Sequence, residues 1–233
     1  MSHIYLIPNL LGESPSQNVL PEHITKVVRS LTHFIVENEK SARKFIKQIA
    51  PEKSQQELVF FTINKHTWPE ELPSFLKPCA SGISMGIISE AGCPGIADPG
   101  AEIVKIAHRQ QIKVVPLVGP SSILLAMMAS GFNGQNFAFN GYLPIEKSER
   151  KKTIKLLEKK AKENNQTQIF IETPYRNDKM FADLTETLHP ETLLCIACDI
   201  TLESEQIETK SVAQWRKTTV SLQKRPAIFI IGG

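Results

Sequence analysis

Two carboxylates, three glycines and two prolines crowd the twelve residues Ser89-Glu90-Ala91-Gly92-Cys93-Pro94-Gly95-Ile96-Ala97-Asp98-Pro99-Gly100. Carboxylates in such a setting can hold a cation or take a proton, and glycine lets a backbone turn sharply and a ligand approach closely. The same residue types also serve plain turn geometry. The stretch lacks the Gly-Lys-Ser/Thr of a phosphate-binding loop, and its glycine spacing is not that of a dinucleotide fingerprint. A second candidate is Gly119-Pro120-Ser121-Ser122, which opens the apolar segment 123–130. Hydroxyls and free N–H groups at a helix start suit a carboxylate or the polar edge of a ligand. An ordinary serine cap has the same appearance.

These residues need elements to position them. Met85-Gly86-Ile87-Ile88 is a β-type run leading into the first loop, and 101–110 has a helical pattern leading out. Asp98-Pro99 has the form of an N-cap and first helical position. Apolar or β-branched runs predict further strands at 4–7, 33–36, 58–63 and 112–118, then at 137–139, 167–171, 192–198 and 226–231. Helical periodicity at Ile24, Val27, Val28 and Leu31, and at Ala42, Phe45, Ile46 and Ile49, places helices between the first three. Ser41 is placed to cap the second of these helices. The segment 123–130 is apolar on almost every side, so it is expected to be buried, ending at Gly131. Strands alternating with helices give an α/β fold class: two α/β domains with largely parallel or mixed sheets and a ligand cleft between them. The expected division is 1–118, carrying the glycine-rich loop, and 119–233, beginning with a connecting helix over 119–134.

Composition narrows the function classes. An apolar fraction of 41% and a charged fraction of 22% describe an ordinary globular chain of 233 residues. No apolar run approaches the roughly 20 residues that span a bilayer, and the start has no basic leader pattern. No membrane role and a reducing, cytoplasmic setting are expected. Cys195 and Cys198 form a C-x-x-C inside a strand-like run, where they would point to opposite faces, and the six histidines form no cluster. No metal is expected. The net charge of +3 is small, yet eight Lys/Arg against three Glu lie between 147 and 163. Lys151, Lys155 and Lys159 fall on one helical face, with Ile154, Leu157 and Ala161 on another. That face is either simply solvated or turned toward phosphates.

Three loops in one order carry a resemblance: the glycine-rich stretch 89–100, Gly119-Pro120-Ser121-Ser122, and Phe137-Ala138-Phe139-Asn140-Gly141-Tyr142-Leu143-Pro144. With them the chain resembles the tetrapyrrole methylase superfamily of S-adenosylmethionine-dependent methyltransferases. Glu172-Thr173-Pro174-Tyr175-Arg176 and the segment Glu37-Asn38 with Ser41 and Arg43-Lys44 resemble motifs of the branch that 2′-O-methylates a cytidine of small-subunit ribosomal RNA. The pattern departs from that branch at 8–12, 38–40 and 198–203.

The resemblance implies a homodimer that binds S-adenosylmethionine through Glu90, Ala91, Gly92, Ser121, Ser122, Tyr142 and Leu143. Ala197, Pro226 and Ala227 would close the adenine pocket. The acceptor would be ribosomal RNA or the small subunit, with Lys151, Lys155, Lys159 and Arg176 on phosphates and Tyr175 stacked on a base. Glu37, Asp199 and Glu203 are the candidates for a general base. Methylation of a tetrapyrrole or other small molecule is the enzymatic alternative. A non-catalytic protein that binds the donor and regulates a partner is the alternative outside catalysis.

Overall fold

The computed structural model describes residues 2–63 and 67–232. The chain divides into two compact units, Met1–Ser121 and Ser122–Gly233.

In the first unit β1 (His3–Ile7), β2 (His33–Val36), β3 (Val59–Thr62), β4 (Met85–Ile88) and β5 (Lys113–Pro116) form one sheet in the order β3-β2-β4-β1-β5. Every pairing in it is parallel. Parallel strands need crossovers, and the helices supply them on both faces. Helices α1 (Glu22–Ser30) and α2 (Glu39–Ile49) pack with Ile7, Phe34, Val36 and Ile88 on one face. On the other, α3 (Leu72–Phe75), α4 (Lys77–Ala80) and α5 (Ala101–Arg109) pack with Ile4, Ile35, Met85 and Ile87. The periodicity at 24–31 and 42–49 is thus the buried stripe it was expected to be. Gly86 in β4 has no room for a side chain: a Cβ there would lie 2.5 Å from Ile7 Cδ1 and 2.9 Å from Phe34 Cδ1.

Two capping expectations are corrected. Asn38, not Ser41, caps α2: its Oδ1 accepts from the N–H groups of Lys40 (2.9 Å) and Ser41 (3.3 Å). Such a cap contributes about 1 kcal/mol. Asp98 does not cap α5. The chain instead enters that helix through Gly100 at φ +137°, a conformation that favours glycine, with no side-chain cap.

The second unit holds β6 (Phe137–Tyr142), β7 (Thr167–Ile171), β8 (Leu193–Cys198), β9 (Gln206–Ser211) and β10 (Ala227–Gly232) in the order β6-β7-β10-β8-β9. Here β6 and β7 are parallel and the remaining pairs antiparallel, so the sheet is mixed. Helices α7 (Lys147–Asn164), α8 (Asn177–Thr187) and α9 (Val212–Trp215) cover one face through Ile154, Leu157, Met180, Leu184 and Trp215. Helix α6 (Ser122–Ser130) packs on β8, β9 and β10. It is not buried all round as its composition suggests. Ala126, Met127 and Ser130 face inward, whereas Met128 is 79% exposed. No helix among the described residues is long and apolar enough to cross a membrane.

Candidate donor site at the carboxyl ends of β1 and β4

Strands β1 and β4 are neighbours, but their onward connections leave on opposite faces of the sheet: β1 continues into α1 and β4 into α5. In an open α/β sheet that divergence opens a crevice beyond the strand ends, where ligands bind. The glycine-rich loop lies there. Past the last strand pair, Ile7 and Ile88, the two chains are stitched together again. Asn9 and Gly92 exchange two backbone hydrogen bonds, of 2.9 and 3.1 Å. Asn9 Nδ2 donates to the carbonyls of Ser89 (2.9 Å) and Glu90 (3.2 Å), and its Oδ1 accepts from Leu10 N–H (2.8 Å). Ser89 Oγ donates to Gly92 O at 2.8 Å. Loop 89–92 is therefore fixed from three sides before any ligand arrives. Gly92 sits at φ +67°, and a Cβ there would come within 3.2 Å of Leu11 Cδ2.

The loop after β5 belongs to the same edge. A Cβ on Gly119 would lie 2.3 Å from Pro8 Cβ, so the two loops touch through backbone and ring. Cys93 Sγ donates to Pro120 O at 3.4 Å. Sequence reasoning picked out the loop but missed Asn9, its main organiser. A Pro-Asn after a strand has the form of any turn, and only its hydrogen bonds reveal the role.

Three carboxylates face one another here. Glu90 Oε1 accepts from Ser41 Oγ at 2.6 Å. Glu37, just past β2, has a buried Oε1 with no hydrogen-bond partner. Burial raises the Glu37 pKa most, and the charges of Asp98 and Glu90 raise it further. Asp98 is pushed up to about 6, by burial first and by Glu90 second. An orphaned carboxylate oxygen beside two others is a setting that a cation would relieve. The ammonium and sulfonium of S-adenosylmethionine are such cations, so the residues present fit that group.

A pH effect follows from Asp98. Its folded pKa lies above the 3.8 of the free group. Its contribution is therefore most favourable below about pH 4 and is lost as pH rises toward 6. Asp98→Asn should leave stability unchanged near pH 4 and raise it above pH 6, by about 1 kcal/mol once partial exposure is allowed for. Denaturant midpoints at pH 4 and pH 7 check this; a variant less stable at pH 7 would contradict it.

The other expected site residues are spread over the second unit and have mixed surroundings. Tyr142 is 57% exposed, whereas the Leu143 side chain lies in the core with Ile154 and Phe170. Ala227 pairs with Cys198 on the core face, while Ala197 pairs with Ile228 on the opposite face. The side chains of Ala197 and Ala227 thus point to opposite faces of the sheet. The alternation that separates them also separates Cys195 from Cys198. Pro226 is exposed. Its carbonyl accepts from Asp199 N–H at 3.0 Å.

Asp199 itself is buried and accepts from Arg225 Nε (2.8 Å) and Ser204 Oγ (2.9 Å). That pairing holds the turn 199–205. Glu203 is exposed. Arg176 is bound to Glu172 Oε1 at 2.6 Å, and Tyr175 is 77% exposed. On α7, Lys151 pairs with Glu186 and Lys159 with Glu163. Lys155 is exposed with no ion-pair partner among the described residues. The basic face is thus partly neutralised by its own acidic neighbours.

The family described as Tetrapyrrole (Corrin/Porphyrin) Methylases matches residues 21–215. Ribosomal RNA small subunit methyltransferase I of Vibrio cholerae is 26% identical over 233 residues, 99% of this chain and 77% of that protein. The Buchnera aphidicola (Schizaphis graminum) protein of the same name is 31% identical over 176 residues, 74% of this chain. That match spans 60% of the Buchnera protein, less than two thirds of its length. Among solved structures, the methyltransferase CobJ superposes with a TM-score of 0.65 at 15% identity, covering 100% of this chain and 95% of its own. Cobalt precorrin-4 methyltransferase, CbiF, gives 0.61 at 13% identity over 99% and 94%. At such identities the likeness is one of fold.

Proposed function

Because the chain belongs to the tetrapyrrole methylase family, we propose that it transfers the methyl group of S-adenosylmethionine to a ribose 2′-hydroxyl in small-subunit ribosomal RNA. The observation that carries the acceptor is the match, along 99% of this chain, to a protein named for small-subunit ribosomal RNA methylation. The Glu37, Glu90 and Asp98 cluster supports the donor.

The donor supplies an already activated methyl group, so the protein's work is alignment and handling of the acceptor's proton. Glu90 pairs with the donor's ammonium. Backbone groups of Ala91 and Gly92 and the hydroxyl of Ser121 would hold its polar end. Gly92 keeps the loop open, since any Cβ there would be strained. The stitching by Asn9 means that little loop entropy is lost on binding. Of the candidate bases, Glu37 has the strongest case. Its free carboxylate oxygen and raised pKa suit proton uptake, whereas Asp199 is held by Arg225. The reading extends to a homodimer working in the cytoplasm, with the exposed Met128 and Ile145 among its apolar contacts.

Acceptor choice is tested by offering methyl-labelled donor with either undermodified small ribosomal subunits or a uroporphyrinogen-type tetrapyrrole. Label in the RNA alone is the expected result. Label in the tetrapyrrole alone would move the reading to small-molecule methylation, and label in neither would remove the enzymatic reading.

A further inference from the structure

A groove of about 620 Å3 runs along the first unit from Glu90 and Ala91, between residues 9–14 and the outer face of α2. Its size falls in the range of roughly 300–1,000 Å3 usual for small-ligand sites, room for about one nucleotide. Leu10, Leu11 and Phe45 supply an apolar floor, and Lys44 and Lys47 stand on α2 at the rim. Three residues apart on a helix, those lysines are surface neighbours. Both are exposed. Ser14 also lines the groove; it is 9% exposed, and its Oγ is buried with no hydrogen-bond partner. A buried hydroxyl without a partner costs stability. Turning the Ser14 side chain toward the groove would let a ligand hydroxyl or phosphate oxygen satisfy it. The backbone around Ser14 is held, since Ser14 N–H donates to Gly12 O at 3.0 Å and Gln48 Nε2 donates to Ser14 O at 3.3 Å.

We propose that this groove seats a nucleotide of the single-stranded RNA acceptor, flanking the one that is methylated. The base lies on Leu10 and Leu11, a sugar or phosphate oxygen meets Ser14 Oγ, and the backbone phosphates meet Lys44 and Lys47. This rests on the RNA methylation reading and moves acceptor binding onto the unit that carries Glu90, rather than onto α7 alone. The groove's two lysines lie together on α2, with Glu13 and Glu90 the carboxylates among its lining, so the cationic rim on α2 is the part that suits a phosphate backbone. Among the described residues Lys47 has no ion-pair partner, and Lys44 has one, Glu13, at 2.6 Å. That contact lies at the surface, with side-chain exposures of 72% and 89%. A phosphate displaces Glu13 from Lys44 on binding, so Glu13 acts against the acceptor.

The test is fluorescence anisotropy of a labelled single-stranded RNA decamer containing cytidine, with donor titration by calorimetry as a check on folding. Lys44→Ala/Lys47→Ala is expected to weaken RNA binding roughly twentyfold at 0.1 M salt and to lower the slope of log K against log salt by about 1.4, the loss of two single-strand phosphate contacts. Glu13→Gln is expected to tighten binding by about two- to fivefold, the opposite sign, because it frees Lys44. Ser14→Ala is expected to weaken binding with no loss of thermal stability. Donor affinity stays at the wild-type value in all three. Wild-type RNA affinity in both charge variants would overturn the groove while leaving methyl transfer to RNA standing. A wild-type protein that binds no decamer at low salt would also overturn it. Absence of methyl transfer to small subunits, with decamer binding still sensitive to Lys44 and Lys47, would instead overturn the enzymatic reading and keep the groove.

Discussion

Glu90→Gln should weaken S-adenosylmethionine binding by roughly ten- to a hundredfold and at the same time make the protein more stable. The first effect is the loss of a charge-assisted hydrogen bond to the donor's ammonium, worth about 1.5–3 kcal/mol. The second follows from the neighbours. Glu90 raises the pKa of both Glu37 and Asp98, so its charge is repelled by theirs in the absence of a cation. Glutamine keeps an oxygen to accept from Ser41 Oγ, so the hydrogen bond now 2.6 Å long is not sacrificed. Calorimetric titration and a denaturation curve on the same preparation read both effects. If Glu90 serves only the fold, the pattern reverses: affinity unchanged and stability reduced.

Asp183→Ala should destabilise the second unit by about 3–5 kcal/mol, because it strands a buried guanidinium. Arg150 is 3% exposed and Asp183 2%, and Arg150 Nε donates to Asp183 Oδ2 at 2.8 Å. The same guanidinium donates to Pro144 O (3.1 Å) and Ile145 O (2.5 Å). It thereby ties the first turn of α7 and the segment after Tyr142 to α8. The buried Trp215, whose Nε1 donates to Leu194 O at 2.8 Å, reports on this unit by fluorescence during denaturation. The double change Arg150→Met/Asp183→Leu should recover most of the loss, since replacing a buried pair by apolar groups is often neutral. A double variant as unstable as the single one would show that the pair holds the fold by more than its charges.

The sequence made some of this site legible and hid the rest for physical reasons. Glycine and proline density marked the loop at 89–100, because positive φ at Gly92, Gly95 and Gly100 admits few other residues. Apolar periodicity marked α1 and α2, whose stripes have only one way to be buried. Caps were harder. Asp98-Pro99 has the right types for a helix start, but the chain turns once more through Gly100 and the carboxylate faces Glu90 instead. Strand β9, Gln-Ile-Glu-Thr-Lys-Ser, escaped notice because it is a polar edge strand paired only with β8. Composition misled at α6, since a segment rich in Leu and Met need not be covered on all sides. Long-range contacts carry no local signal: neither Asn9 reaching across to Ser89 and Glu90 nor Arg225 locking Asp199 can be seen from flanking residues.

The most direct test of the central claim is the identity of the modified nucleoside. Undermodified small ribosomal subunits are incubated with the purified chain and S-adenosylmethionine, and the RNA is digested and examined by mass spectrometry. The account predicts 2′-O-methylcytidine at one site, formed by the wild type and strongly reduced with Glu90→Gln at limiting donor. A methylated base in place of a methylated ribose, or no new nucleoside from a folded protein that binds the donor, would contradict it.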